Sequence, residues 1–501
     1  MRLRLRGLEI VDLALASSRH LRHRRLQSVL LAGIVLALSL VYSANAAVAA
    51  QPGARIAWQP CPKVSGYLCG TLQVPLNYAA PSRGSVNLAV MERPVPQSQG
   101  VIVFNPGGPG ESGDLILPIL ASLMPQAVKE QFTFVSFDER GTGSSEPLLC
   151  GPSAAAAGSA IAGTAAATQA FAGLERSCRA SDPTLFPTVN TTTSARDMDE
   201  LRVALGVKRI GYYGMSYGTA LGSVYAHLFP THVRSMVLDG AVDANLSLTT
   251  DATADAAAIQ TALVHTLNSC TASPNCPLGP DPVSFYQNLQ KRLLHSPLPA
   301  PGGGDTIPVT AGDLSTASLL YLSAPNFTPG YFPALAAAAA GNGAPLRSVA
   351  LGLEDDLNGA SLVGPLWTIT CNDAVTHPDA KVTAALARSL AARYPLGGAE
   401  AVANYLIACP GWTGSNEAIA HLAPNSVPTP LVIGNVYDPN TPYVVAPQLA
   451  SAIGGRLVTY VGYGHTWLLN GSTYVCMESL VTSYFVGGVI PAKGTRCSPS
   501  P

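Results

Sequence analysis

Charge is scarce in this sequence. Only 12% of its 501 residues are Asp, Glu, Lys or Arg, about half the ~25% usual for a soluble globular chain. Neither sign dominates, since 29 Lys and Arg face 30 Asp and Glu for a net charge of −1. That balance excludes a basic face for nucleic acid and an acidic solvating tail. Aromatic residues are also few, at 7%, yet the 48% hydrophobic share is enough for a large core and excludes intrinsic disorder. Mean hydropathy is +0.25, but long apolar runs are almost absent. One stretch alone, Leu26 to Val41, approaches the ~20 residues that span a bilayer. Missing too is a Cys-x-x-Cys pair with matching His or Cys partners, so no zinc site is expected. No metal and no organic cofactor is called for.

What is present begins with a leader. Arg19, His20, Arg22, His23, Arg24 and Arg25 form a basic block, and Arg24-Arg25 is a weak twin-arginine match. The apolar run follows, and Ala44-Asn45-Ala46 and Ala47-Val48-Ala49 then offer small-residue cleavage sites. This order reads as a signal peptide over residues 1–49. It predicts a secreted or periplasmic protein with no stable membrane insertion after cleavage; an uncleaved single-span anchor is the alternative. An oxidising compartment makes the ten cysteines readable as disulfides. Cys61, Cys69, Cys150, Cys178, Cys270, Cys276, Cys371, Cys409, Cys476 and Cys497 fall into five short-range couples, so sequential pairing is the default. Spacing does not prove that connectivity.

Short β-like runs alternate with turns from Gly70 onward. Thr71 to Tyr78, Val86 to Val95, Val101 to Phe104 and Phe132 to Phe137 read as strands. Ser194 to Leu205 has helical spacing with Gly206 as its stop. Ile210 to Tyr213 is the next strand, followed by a small-residue helix to Phe229 and a strand at Ser235 to Leu238. Strands alternating with helices predict a mostly parallel sheet covered on both faces, an α/β class. The Ala/Gly tract at 154–168 reads as a surface helix or loop held by a 150–178 bridge. From 245 to 425 the chain is Ala-rich and helical, read as an inserted lid. Strand patterning returns at Pro430 to Gly434 and Arg456 to Val461, which would complete the sheet. The expected parts are therefore a first core segment at 50–244, the lid at 245–425 and a closing core segment at 426–501.

Gly214-x-Ser216-x-Gly218 has the nucleophile-elbow pattern. The glycines are needed because the chain turns sharply from strand to helix, leaving no room for Cβ atoms beside the Ser. An inert Ser in a Gly-rich turn is the plain alternative. A Ser hydroxyl needs a base, and in this architecture the partners follow in the order Ser, acid, His. His465, in Gly462-Tyr463-Gly464-His465 after a strand, satisfies that order. His227 and His232 flank a helix end, and His265, His295, His377 and His421 lie in the lid stretch. Asp438, in Asn435-Val436-Tyr437-Asp438-Pro439, is the acid, with an Asx-turn as its ordinary role. The oxyanion needs two preset backbone donors. Tyr217 would supply one, and Gly107 or Gly108 of Asn105-Pro106-Gly107-Gly108-Pro109-Gly110 the other, since the prolines have no N–H. A phosphate loop is excluded there by the missing Gly-Lys-Ser/Thr ending.

The segments GTLQVPLNY, FNPGGPGESG, SFDERGTGSS, NTTTSARDMDELRVALG, IGYYGMSYGTALGSVYAHLFP, VLDGAVD, TITCND, LVIGNVYDPNTP and GYGHTW run in order through most of residues 56–497. They resemble the tripeptidyl aminopeptidase and proline-iminopeptidase-like branch of the α/β-hydrolases, the secreted group with a TAP-like C-terminal region. The resemblance implies the α/β-hydrolase fold with an inserted helical lid, and a triad of Ser216, Asp438 and His465. It also favours close pairing of the cysteines and a cleft that admits unblocked peptide N-termini. An acid must then meet the substrate's α-ammonium, because a buried cation needs a partner. Glu111, Asp373 and Glu139 are the candidates, each with an alternative role as a solvated or helix-capping acid. The chain departs from cytoplasmic proline iminopeptidases, which carry a His where Asn105-Pro106 begins the loop. The lid matches little outside TITCND, and specificity resides there.

The expected activity is therefore a serine aminopeptidase acting on peptides. A carboxylesterase on small or lipid esters is the alternative within the same chemistry, and a non-catalytic envelope binding protein lies outside it. Activity is expected to fall below roughly pH 6, where a His base near the ~6.5 reference becomes protonated.

Overall fold

A computed structural model describes residues 56–151 and 173–499, apart from position 246 and the stretches 300–307, 326–329, 357–358, 399–408, 415–421, 423–426 and 472–473. The leader and the Ala/Gly tract at 154–168 lie outside the described residues.

Among those residues, strands join into one sheet in the order β1-β2-β3-β5-β4-β6-β7-β8-β9-β10. They are β1 (Gln59–Pro60), β2 (Leu68–Pro75), β3 (Ser85–Arg93), β4 (Val101–Asn105), β5 (Thr133–Phe137), β6 (Ile210–Met215), β7 (Val233–Asp239), β8 (Leu431–Tyr437), β9 (Arg456–Tyr463) and β10 (Arg496–Cys497). Pairing is antiparallel from β1 through β3 to β5 and parallel across the rest. The sequence accounts for that division. Every residue of β4, β5 and β6 is buried, as expected where helices cover both faces. In β2, by contrast, Leu72 and Val74 point inward while Thr71 is exposed.

Boundaries differ from the sequence expectation where distant residues set them. Strand β2 begins at Leu68 rather than Thr71, because Gln59 and Pro60 pair with Cys69 and Leu68 beside the Cys61–Cys69 bridge. The helix expected from Ser194 spans Thr191–Ala204, since the Asn190 side chain accepts the Thr193 N–H at 2.9 Å and caps it earlier. Strands β1 and β10 have two residues each and no legible pattern.

Two apolar clusters sandwich the sheet. Adjacent residues of β6 face opposite ways, as the strand period requires. Tyr212 packs with Met198, Leu201, Leu221 and Val224, while Tyr213 packs with Leu117, Leu120, Trp467, Tyr484 and Phe485. Each such buried side chain contributes about 1.5–3 kcal/mol. Arg140 and Asp197, both fully buried, pair at 2.6 Å. Arg140 also donates to the carbonyls of Pro75 and Leu76, and Tyr78 donates to Asp197, so the group is compensated on all sides.

Helices fill the chain between β7 and β8, among them Leu248–Ser269, Pro282–His295, Ala311–Ser323, Gly359–Asp373 and Ala380–Arg393. They carry an apolar cluster of their own, with Leu263, Leu267, Tyr286, Leu289, Leu314 and Leu335. Strands β8 and β9 then extend the sheet. All five cysteine couples are bridged sequentially: 61–69, 150–178, 270–276, 371–409 and 476–497. Among the described residues, no helix is long and apolar enough to cross a membrane.

Candidate active site

Ser216 stands between β6 and the helix Tyr217–Leu228 with φ 55° and ψ −128°, a backbone shape a non-Gly residue rarely takes. Its neighbours explain how the shape is held. A Cβ on Gly214 would lie 2.3 Å from the Gly218 carbonyl oxygen, and one on Gly218 would lie 2.6 Å from Asn105 Oδ1. Both glycines are therefore required by packing. The Ser216 N–H donates to the Asp239 carbonyl at 2.9 Å, and the Ser216 carbonyl accepts from Thr219 N and Oγ1.

Asp438 and His465 meet at the ends of β8 and β9. His465 Nδ1 lies 3.0 and 3.1 Å from the two Asp438 oxygens. Asp438 is fully buried and His465 is 13% exposed. The same carboxylate accepts from Asn440 N, Thr441 N, Thr441 Oγ1 and Thr466 N. It thus makes the Asx-turn and the His contact together. Burial pulls the His465 pKa down, but the charge and hydrogen bond of Asp438, with Asp239 and Glu111, outweigh it and leave the group raised. The acid limb of any reaction using this base therefore lies above pH 6.5, higher than the sequence expectation.

Asp239 joins the pieces, and the sequence gives no signal for it beyond a polar residue closing an apolar strand. Its carbonyl holds Ser216, while its buried carboxylate accepts from Trp467 N at 2.8 Å, Leu468 N at 2.9 Å and Tyr213 OH at 2.9 Å. Burial pushes its pKa up to about 6, against these hydrogen bonds. Ser323, in the helical region, was also unforeseen. Its carbonyl accepts the His465 N–H at 2.7 Å and Asn470 Nδ2 at 2.9 Å, and its hydroxyl donates to Asn440 at 3.0 Å.

The two loop glycines are not equivalent. Gly107, with φ +106°, packs so tightly on the elbow that a Cβ would lie 2.9 Å from Ser216 Cβ. Its N–H donates to Asn105 Oδ1 at 3.1 Å. The Gly107 donor is therefore already engaged within its own loop. The N–H groups of Gly108 and Tyr217 have no hydrogen bond among the described residues.

The three acidic candidates separate as clearly. Glu111 folds back so that its Cγ lies near Gly108. Burial pushes its pKa up to about 7, opposed by the charge of His465, and its carboxylate has no protein hydrogen bond among the described residues. Asp373 accepts from Thr191 N at 2.9 Å and Thr191 Oγ1 at 2.5 Å; burial raises it to about 7 against those bonds. Glu139 is 1% exposed and accepts from Asn105 Nδ2 at 3.1 Å and Tyr217 OH at 3.2 Å. Burial raises it to about 7, with the Asn105 and Tyr217 bonds opposing. Both Glu139 oxygens are thus engaged within the protein, as are both oxygens of Asp373.

Among the other histidines, His232 pairs with Asp199 at 2.6 Å and His377 with the Cys371 carbonyl at 2.8 Å. His265 packs against both Tyr437 and Tyr463, which also pack on each other, near Asp438 and His465.

The profile described as "alpha/beta hydrolase fold" matches residues 100–472, most of the chain. The chain is an α/β-hydrolase. Serine protease Hip1 of Mycobacterium tuberculosis is 32% identical over 483 residues, covering 89% of this chain and 91% of that protein. Carboxylesterase B of the same species is 30% identical over 459 residues, covering 86% of each. Tripeptidyl aminopeptidase of Streptomyces lividans is 37% identical over 226 residues, covering 40% of this α/β-hydrolase and 41% of its own length. With its family and these relatives, this α/β-hydrolase is a serine hydrolase, and the structure brings Asp438 to His465.

Proposed function

We propose that this protein is an exported serine exopeptidase releasing short peptides or single residues from free peptide N-termini. Ser216 attacks the scissile carbonyl, and His465 takes its proton and returns it to the leaving amine. Asp438 fixes the imidazole and stabilises its cation. The N–H groups of Tyr217 and Gly108 receive the oxyanion. The observation that carries the amine preference is Glu111. Its side chain is partly buried, its carboxylate lies within the electrostatic reach of His465, and it has no hydrogen-bond partner among the described residues. An incoming ammonium would compensate it. Asp373, in the helical region read as a lid, is a second acid for the same task, although Thr191 already holds it. The five bridges fit an oxidising, extracellular setting.

A carboxylesterase is the second reading, favoured by the relative of that name aligned over 86% of both chains. The same residues serve either substrate. Turnover of aminoacyl- and tripeptidyl-anilides with free and acetylated N-termini, beside matched esters, separates the two. Faster turnover of free-amine anilides is expected, with Glu111→Gln raising their KM about tenfold, the loss of ~1.4 kcal/mol of binding. Preference for blocked substrates, or turnover of esters alone, would overturn the exopeptidase reading.

A further inference from the structure

Glu139 turns both carboxylate oxygens inward, and what it holds there matters for the chemistry. One oxygen accepts from Asn105 Nδ2 at 3.1 Å, and the single oxygen of the same Asn105 side chain, Oδ1, accepts the Gly107 N–H at 3.1 Å. The next N–H along that loop belongs to Gly108. The second Glu139 oxygen accepts from the Tyr217 hydroxyl at 3.2 Å, and the Tyr217 backbone carries the opposing N–H. Tyr217 OH also contacts Thr191 Oγ1 at 2.6 Å, and Thr191 is fixed in turn by Asp373 of the helix Gly359–Asp373.

We propose that Glu139 is the positioning residue of the oxyanion hole, clamping through Asn105 and Tyr217 the two backbone segments whose N–H groups meet the developing negative charge. The chemistry demands such a clamp. Donors must stand about 2.7–3.1 Å from the position the oxyanion will occupy, so a shift of a few tenths of an ångström costs rate. Pro106 and Pro109 stiffen the loop from Asn105 to Gly110, in which Gly107, Gly108 and Gly110 all have positive φ, but stiffness within the loop does not set its distance from Tyr217. Tyr217 begins its helix, where no backbone partner fixes the N–H. One buried carboxyl linked to both sides supplies the missing constraint. It touches no reacting atom, so its effect passes through its two neighbours.

The proposal rests on Ser216 as the nucleophile, and the test separates the two claims. Full-length Glu139→Ala, Glu139→Gln, Tyr217→Phe and Ser216→Ala are compared on an unblocked tripeptidyl anilide and a p-nitrophenyl ester, with active sites titrated. Affinity for an alkylboronic acid, whose tetrahedral adduct places an oxygen in the hole, is measured in parallel. Glu139→Ala is expected to lower kcat at least tenfold on both substrates with KM within twofold, and to weaken the boronate by a similar factor. Glu139→Gln keeps an acceptor for Asn105 and is expected to recover most of that loss. A residue that only supports folding would lower Tm while leaving kcat per titrated site and boronate affinity unchanged; that result overturns the proposal. Where Glu139→Ala does not fold, Tyr217→Phe decides: parallel losses of a few-fold in kcat and boronate affinity uphold it, and unchanged values overturn it. Retained activity in Ser216→Ala would instead refute the nucleophile assignment.

Discussion

The sheet and the helices between β7 and β8 bury their side chains by different means. In the sheet, β4 through β6 are buried at every position, and backbone ladders fix the chain wherever the side chains point. The helical region relies on its own cluster around Tyr286, Leu289 and Leu314. It lacks any backbone ladder of comparable length among the described residues, beyond the isolated Leu298–Val309 bridge. Ser216, Asp239, Asp438 and His465 all lie at or just beyond strand ends, so the first region positions the proposed chemistry. Yet the Ser323 carbonyl, at the end of a helix of the second, accepts the His465 N–H at 2.7 Å. Precision at the site comes from the sheet, with one bolt supplied from outside it.

The largest test of that contrast is chemical. Ser216→Ala and Asp438→Asn should each lower kcat by on the order of 10⁴-fold or more on every substrate, with unfolding curves unchanged. Selective loss on one substrate class would shift the chemistry toward the helices. Next come two stability losses. Arg140→Met strands the fully buried Asp197 charge and should cost about 3–5 kcal/mol by denaturant unfolding. Leu289→Ala, in the helical cluster, should cost about 2–4 kcal/mol. Amide exchange should then rise in Pro282–His295 before it rises in β4 and β6; simultaneous rise would mean that the two regions open as one unit. A smaller effect probes the bolt. Asn470 Nδ2 donates to the carbonyls of Ser323, His465 and Thr466, so Asn470→Ala should lower kcat about tenfold, checked by steady-state kinetics. The smallest concerns pH. Activity should fall as pH drops through the raised pKa of His465, beginning above pH 6.5. Glu111→Gln removes one of the charges raising it and should move that limb to lower pH in a pH–rate profile.

The same contrast explains what could be read in advance. Strands β4 and β6 were legible because burial on both faces leaves continuous apolar runs. The elbow was legible because Gly214 and Gly218 have no steric alternative. Asp438 and His465 followed from chain order, and the structure brings those two into contact. Pairing of neighbouring cysteines needed no more than proximity. The contacts of Glu139 were not legible, because its partners, Asn105 and Tyr217, are 34 and 78 residues away. Asp239 and Ser323 act partly through backbone carbonyls, which every residue possesses and no side-chain pattern marks. Two-residue strands such as β1 are too short for any period to show.

The buried acids also govern how the molecule exchanges protons with its surroundings. Burial raises Glu111, Glu139 and Asp373 to about 7 and Asp239 to about 6, against ~4 in an unfolded chain. Between those values these four acids bind more protons in the folded form than in the unfolded one, so their contribution to folding stability declines as pH rises from about 4 to 7. His465 acts in the same direction, because its folded pKa is raised as well. The proposed catalysis needs that imidazole deprotonated. Through these groups the protein should therefore be most durable in mildly acidic surroundings and fastest in neutral or alkaline ones, with its shelf-life and its working rate favoured at opposite ends of one pH range.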